Sequence, residues 1–156
     1  MEGYKRILVV SRMNPYSGKT IEIGVSLARK YKANLYVMHL VSEPTDYMTK
    51  NSPGLFPEVQ FTNYFNSQQD AKEQVDRLIK QETRRGLSIQ ELVSERDSVA
   101  NIMTVIREET IDLLLLSAHE EGRIEHALFG GENDALLRMM PCSILLVKNE
   151  LEPVNV

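Results

Sequence analysis

Short apolar, β-rich runs alternate along this chain with helix-length stretches whose apolar residues share one face, and that alternation narrows its fold more than any other property. The first run, Arg6-Ile7-Leu8-Val9-Val10-Ser11, is apolar almost without a break, as suits a strand covered on both faces of a parallel sheet. After a polar loop containing Pro15 and Gly18, residues Ile21, Gly24, Val25 and Ala28 fall at i, i+3, i+4 and i+7, one face of a helix ending near Tyr31. Gly24 lowers the propensity of that helix, so its place on the apolar face implies close packing against the sheet. A second strand runs from Asn34 to Val41. From Ser42 to Phe65 the periodicity lapses, and Pro44, Pro53, Gly54 and Pro57 argue against a regular element.

The pattern then resumes. A helix is expected from about Ser67 to Arg85, with Ala71, Val75, Leu78 and Ile79 on one face and Gly86 as its stop. Leu87 to Val93 alternates like a half-buried strand at a sheet edge. Asp97 or Ser98 caps the next helix, whose buried face is Val99, Ile102, Met103 and Ile106. Leu113 to Leu116 is the most apolar strand and on that ground the central one. Glu132 opens the last helix, Pro141 ends it, and Ser143 to Val147 is the final strand. Such alternation implies right-handed crossovers and helices on both faces of a parallel sheet, an α/β doubly wound fold. At 156 residues the chain reads as a single domain over 1–156 with an irregular insertion at about 42–65.

Composition excludes more than it selects. A formal net charge of −4 without a basic face argues against nucleic-acid binding. The apolar runs are too short to span a membrane, and residues 1–12 lack the length and cleavage site of a leader. Cys142 is the single cysteine, so no internal disulfide forms and a cytoplasmic location is expected. It opens an apolar strand and reads as a small buried hydrophobe. No His, Cys or Asp cluster has metal-ligand spacing, and no Ser-His-Asp arrangement can be nominated. Met13 to Thr20 matches the phosphate-loop pattern G-x-x-x-x-G-K-[ST] except at its first position. Met13 replaces the glycine of the sharp turn and Pro15 removes a donor, so the segment reads as a loop with Ser17 capping a helix and Lys19 in water.

The C-terminal third carries the most specific signal. Ile111 to Glu120, then Ala127-Leu128-Phe129-Gly130-Gly131, then Pro141 to Val147 resemble the ending of universal stress proteins. Lys5 to Val9, Leu27 to Leu35 and His39-Leu40-Val41 extend the resemblance over nearly the whole chain. It implies a five-stranded parallel sheet in order 3-2-1-4-5, with any ligand beyond the C-terminal ends of strands one and four, at the switch point. Nucleotide-binding members carry G-x-x-G-x9-G-[ST] there. The corresponding positions are Ser117, Glu120, Gly130 and Gly131, and only Gly130 matches. Glu120 sets a carboxylate where phosphate oxygens go, and Gly131 lacks the hydroxyl. Binding members hold the nucleoside with an Asp at the end of the first strand, a position filled by Arg12. Arg12, Leu40 and Arg123 are the implied cleft residues, with Lys19, His119 and His126 as candidates for a set receiving another anion. His39 reads as a packed structural histidine.

The resemblance therefore implies a non-enzymatic stress-response or regulatory protein with a degenerate nucleotide motif and no cofactor, ATP and AMP being disfavoured. It also implies a homodimer through the last strand, which family members often pair across a two-fold axis. Tyr47, Phe56, Phe61, Tyr64 and Phe65 crowd the 42–65 stretch, and so many aromatics suit a partner surface or packing onto the domain. The alternatives from other classes are a nucleotide-dependent switch or weak ATPase, and a module for some other small anion.

Overall fold

Each apolar run of the sequence is a strand of one sheet in the computed structural model, which describes residues 3–12, 17–40, 58–94, 99–119 and 132–149. The strands are β1 (Arg6–Ser11), β2 (Asn34–Leu40), β3 (Ile89–Ser94), β4 (Leu113–His119) and β5 (Ser143–Asn149). All neighbours are parallel, in the order β3-β2-β1-β4-β5. The crossovers contain α1 (Ser17–Tyr31), α2 (Glu58–Arg84), α3 (Val99–Glu108) and α4 (Glu132–Met139). Side chains alternate between two cores, as the period of a strand requires. Ile7, Val9, Leu35, Val37, Leu113 and Leu115 meet Ile21, Val25 and Ala28 of α1 and Val75 and Ile79 of α2. Leu8, Val10, Tyr36, Met38, Leu114 and Leu116 meet Ile102 and Ile106 of α3 and Leu136 of α4. Two-sided burial is the reason that β1 and β4 read as unbroken apolar runs.

Gly24 is where α1 lies closest to the sheet. A Cβ at that position would stand 2.6 Å from Val9 Cγ2, 3.4 Å from Leu35 Cδ1 and 3.7 Å from Leu115 Cδ2. Close packing is thus the purpose of this glycine. The four helices among the described residues are each followed by a residue in the left-handed region: Lys32 (φ 55°), Gly86 (φ 93°), Thr110 (φ 53°) and Met140 (φ 43°). After α2 the closure is the double one that satisfies two orphan carbonyls, with Gly86 N–H donating to Thr83 O (3.0 Å) and Leu87 N–H to Glu82 O (3.1 Å). Leu87 is occupied by this closure, which is why β3 starts at Ile89 rather than at Leu87.

Two further expectations need correction. The second helix begins at Glu58, not near Ser67, so residues 58–65 are helical rather than irregular. The prolines and Gly54 that suggested otherwise all precede Glu58, and from there to Gly86 nothing interrupts helix propagation. The central strand is β1, with β4 beside it. An unbroken apolar run reports coverage of both faces, which every interior strand shares, and does not rank interior strands.

The pairing of β1 with β4 is short. It joins Ile7 to Leu113, Leu8 to Leu114 and Val9 to Leu115, and goes no further. Below it, Asp112 clamps the two strands: its Oδ2 accepts from Lys5 N–H (2.8 Å) and its Oδ1 from Arg6 N–H (3.0 Å). The Arg6 guanidinium donates to Glu109 O (2.8 Å) alongside.

Candidate functional site

Beyond Val9 and Leu115 the two strands part. β1 stays with β2 as far as Ser11 and His39, and β4 stays with β5 as far as His119 and Asn149. The divergence opens a crevice at the C-terminal ends of β1 and β4, where strand order reverses, the position at which doubly wound sheets take ligands.

A chain of polar contacts crosses this crevice. On the α1 side the hydroxyls of Thr20 and Ser117 are 2.6 Å apart and buried. On the α4 side Arg12 Nη1 donates to Asn133 Oδ1 (3.1 Å), and Asn133 Nδ2 donates to Ser117 O (3.2 Å). Arg12, α4, the end of β4 and α1 are thereby tied in sequence. Ser117 takes part through both its hydroxyl and its carbonyl. The register places Ser11 opposite His39, and both are buried, at 0 % and 4 % exposure. His39 Nε2 lies 3.1 Å from Glu91 Oε1. Among the described residues Ser11 Oγ and His39 Nδ1 have no hydrogen-bond partner.

The residues singled out from the sequence fall into three groups. Ser117 and Arg12 stand at the crevice, held as above. Leu40, at the end of β2, is buried with the core beneath α3 and α4. Glu120, Gly130, Gly131, Arg123 and His126 lie outside the described residues, as do Met13 to Tyr16 and residues 42–57. Lys19 is exposed on α1, one residue before Thr20. Asn133 is the crevice residue that sequence reasoning missed. Its only local signal is an amide in the first turn of the helix that follows Gly130 and Gly131. Thr20, the last position of the phosphate-loop lookalike, has its hydroxyl bonded to Ser117.

Away from the crevice, Cys142 is half-buried against the α3/α4 core. Burial, and secondarily the Asp112 carboxylate, push its thiol pKa up, against a smaller opposing effect of a backbone hydrogen bond at Leu114. Glu82 of α2 is buried and takes the Nε (3.1 Å) and Nη2 of Arg29 on α1, with Arg85 Nη1 at 3.5 Å. Among the described residues no helix is long and apolar enough to cross a membrane.

The family model for the universal stress protein family matches residues 3–148. The chain belongs to the universal stress protein family. No curated protein matches this universal stress protein in sequence. Solved structures share its fold. The universal stress protein UspA from Lactobacillus plantarum superposes with a TM-score of 0.63 at 17 % identity, over 92 % of this chain and 97 % of that one. A universal stress protein in complex with cAMP gives 0.57 at 17 % identity, over 93 % and 97 %. The universal stress protein from Archaeoglobus fulgidus in complex with dAMP gives 0.52 at 15 %, over 95 % and 100 %.

Proposed function

We propose that this universal stress protein is a stress-response regulator that works as a homodimer through protein contacts, is not an enzyme, and binds neither ATP nor AMP in its crevice. The observation that carries this reading is the tie from Arg12 through Asn133 to Ser117 and Thr20. A nucleotide seated between β1 and β4 would have to break these hydrogen bonds, each contributing about 0.5–1.5 kcal/mol net, before making any of its own. Arg12 also brings a cation to the position where binding members hold the nucleoside with a carboxylate, and Glu120 and Gly131 depart from the phosphate-binding pattern. The residues present do not fit a nucleotide. Dimerisation is supported by the free edge of β5, where Ile144-Leu145-Leu146-Val147 is apolar throughout and Leu145 is 37 % exposed. Exposed Met139 and Met140 flank it at the end of α4. An unpaired edge of that character recruits another chain. The opposite edge, β3, exposes Gln90 and Glu91 beside Val93, which is 71 % exposed, so its apolar run is broken by polar residues where that of β5 is continuous. The aromatics that the sequence gathers between residues 42 and 65 suit contact with a protein partner.

Titration calorimetry with ATP and with AMP tests the first part: no crevice affinity tighter than about millimolar, about −4.1 kcal/mol, is expected. Micromolar binding that is lost when Asn133→Trp blocks the crevice overturns it. Sedimentation at tens of micromolar tests the second part. A dimeric mass is expected, and a monomeric one refutes pairing through β5. The solved relatives holding cAMP and dAMP favour a second reading, a nucleotide-dependent switch, which the same calorimetry separates from the first.

A further inference from the structure

On the outward face of α2, away from the crevice, Arg77, Lys80, Gln81, Arg84 and Arg85 line an open groove of about 500 Å³. Arg77, Lys80, Gln81 and Arg84 fall at i, i+3, i+4 and i+7, so they form one stripe on the helix. All of them are exposed. Arg85 lies 3.5 Å from the buried Glu82. No carboxylate among the described residues pairs with Arg77, Lys80 or Arg84, although Glu73 and Asp76 stand one turn ahead of Arg77 and Lys80. Cations in the last turn of a helix are accounted for by its dipole. Arg77 and Lys80 stand one to two turns earlier, beyond the reach of that effect. On a chain of net charge −4, a groove walled by cations and one amide is out of keeping with the remaining surface.

We propose that this groove is a binding site for a linear oligophosphate. The lining contains no aromatic or aliphatic residue to anchor a protein partner or to stack a base; the methylene stems of the long side chains form its walls, and the charged and amide ends they carry supply the recognition. Three of the four cations are arginines, whose planar forks pair with phosphate oxygens two at a time. A rise of 1.5 Å per residue sets Lys80 about 4.5 Å from Arg77 along the axis, and Arg84 about 6 Å further on. That spread suits a chain of phosphates lying along the helix, each cation taking its own phosphate, better than a single phosphate on which three long side chains would have to converge. Inorganic polyphosphate and the polyphosphate tail of a nucleotide share this chemistry, and the test below separates them.

The test is calorimetry of the full chain with inorganic tripolyphosphate at low ionic strength, beside orthophosphate, oligoglutamate of matched charge, and ATP. Tripolyphosphate is expected to bind at least tenfold more tightly than orthophosphate or oligoglutamate. The affinity should fall as salt is added, and should fall at least tenfold in the double variant Arg77→Gln/Arg84→Gln. Lys19→Gln/Lys72→Gln removes the same charge outside the groove and is expected to leave binding within twofold of wild type. All four side chains are exposed, and circular dichroism verifies that both variants are folded. ATP binding lost together with tripolyphosphate binding in the groove variant supports a site that reads the phosphate chain whatever is attached. Loss of tripolyphosphate binding with no ATP binding in either protein supports an inorganic ligand. The proposal falls if tripolyphosphate shows no advantage over orthophosphate, if the groove variant binds like wild type, if the control variant loses as much, or if oligoglutamate binds equally well.

Discussion

Replacing Gly24 by alanine sets two effects of opposite sign against each other. Alanine in a helix interior is favoured over glycine by about 1 kcal/mol. Its methyl group, however, would stand 2.6 Å from Val9 Cγ2, where carbon atoms prefer about 3.5–4.0 Å, so roughly 1 Å of space has to be made. Val9 cannot supply it by rotating, since it is 0 % exposed in the middle of β1 and its branched side chain is held at χ1. Leu35 and Leu115 close the site from either side. Lifting α1 instead would loosen Ile21, Val25 and Ala28 together. Overpacking of this kind costs about 1–3 kcal/mol, and the absence of a yielding neighbour puts Gly24→Ala near the upper end. The net loss is then about 1–2 kcal/mol, or a fall in Tm of about 2–8 °C for a domain of this size. Urea unfolding with linear extrapolation reads it directly. Gly18→Ala is the internal control, because a Cβ there meets only Gln74, at 3.6–3.7 Å, and no loss is expected. Val9→Ala removes the obstructing methyl, so the double variant should be less destabilised than the two single costs added. Gly24→Ala at wild-type stability, or strict additivity with Val9→Ala, would refute the reasoning.

Three further outcomes follow from the contacts described. Arg29→Met should cost about 2–3 kcal/mol and Glu82→Met under about 1 kcal/mol, because the first leaves a buried carboxylate with only the exposed Arg85 guanidinium at 3.5 Å and the second frees a cation that is already 39 % exposed; the reverse order in urea unfolding would contradict it. Thr110→Gly should stabilise by about 0.5–1 kcal/mol, since relief of a β-branched residue at φ 53° exceeds the entropy of the added glycine, and a lowered Tm would count against it. Cys142 should alkylate more slowly than a free thiol at pH 8, with its rate rising at more alkaline pH than that of a free thiol. The raised thiol pKa makes its contribution to stability complete below the free-thiol value of about 8.5, and that contribution is lost as pH climbs through the folded value; a thiol as reactive as a free one in the folded protein would refute this.

The strands were legible because covering both faces of a sheet leaves no polar position to interrupt Leu8-Val9-Val10 or Leu113-Leu114-Leu115-Leu116. The strand order was not contained in that periodicity and came from the resemblance in the C-terminal third. Helix ends were legible in position, from Gly86 after α2, Pro141 after α4 and the apolar face that stops near Tyr31, but the left-handed conformation of Lys32, Thr110 and Met140 carries no signature of residue type. The first turns of α2 were hidden by the prolines before them. The crevice was legible in position and not in content. Arg12 and Asn133 are 121 residues apart, and Thr20 and Ser117 are 97 apart, and no local pattern encodes a hydrogen bond over such separations. Motif comparison found Ser117 and Arg12 by what they fail to be, and only the folded arrangement gives them partners.

The three-pair junction between β1 and β4 also sets an order of assembly. Residues 6–94 build β3, β2 and β1 through crossovers between neighbours, and residues 113–149 build β4 and β5 in the same way. Joining these parts closes a loop of 106 residues between Arg6 and Asp112, at an entropic cost about 1 kcal/mol above that of bringing Arg6 to Asn34. The two blocks are thus expected to form before they meet. The line along which they meet is short: three ladder pairs, the Asp112 clamp beneath them, and α1 laid across the top with Gly24 against both Val9 and Leu115. A chain nicked between residues 94 and 99 would keep each block's own crossovers intact. Its two fragments would recognise one another along that line, at a rate governed by their concentration and no longer by the length of the loop.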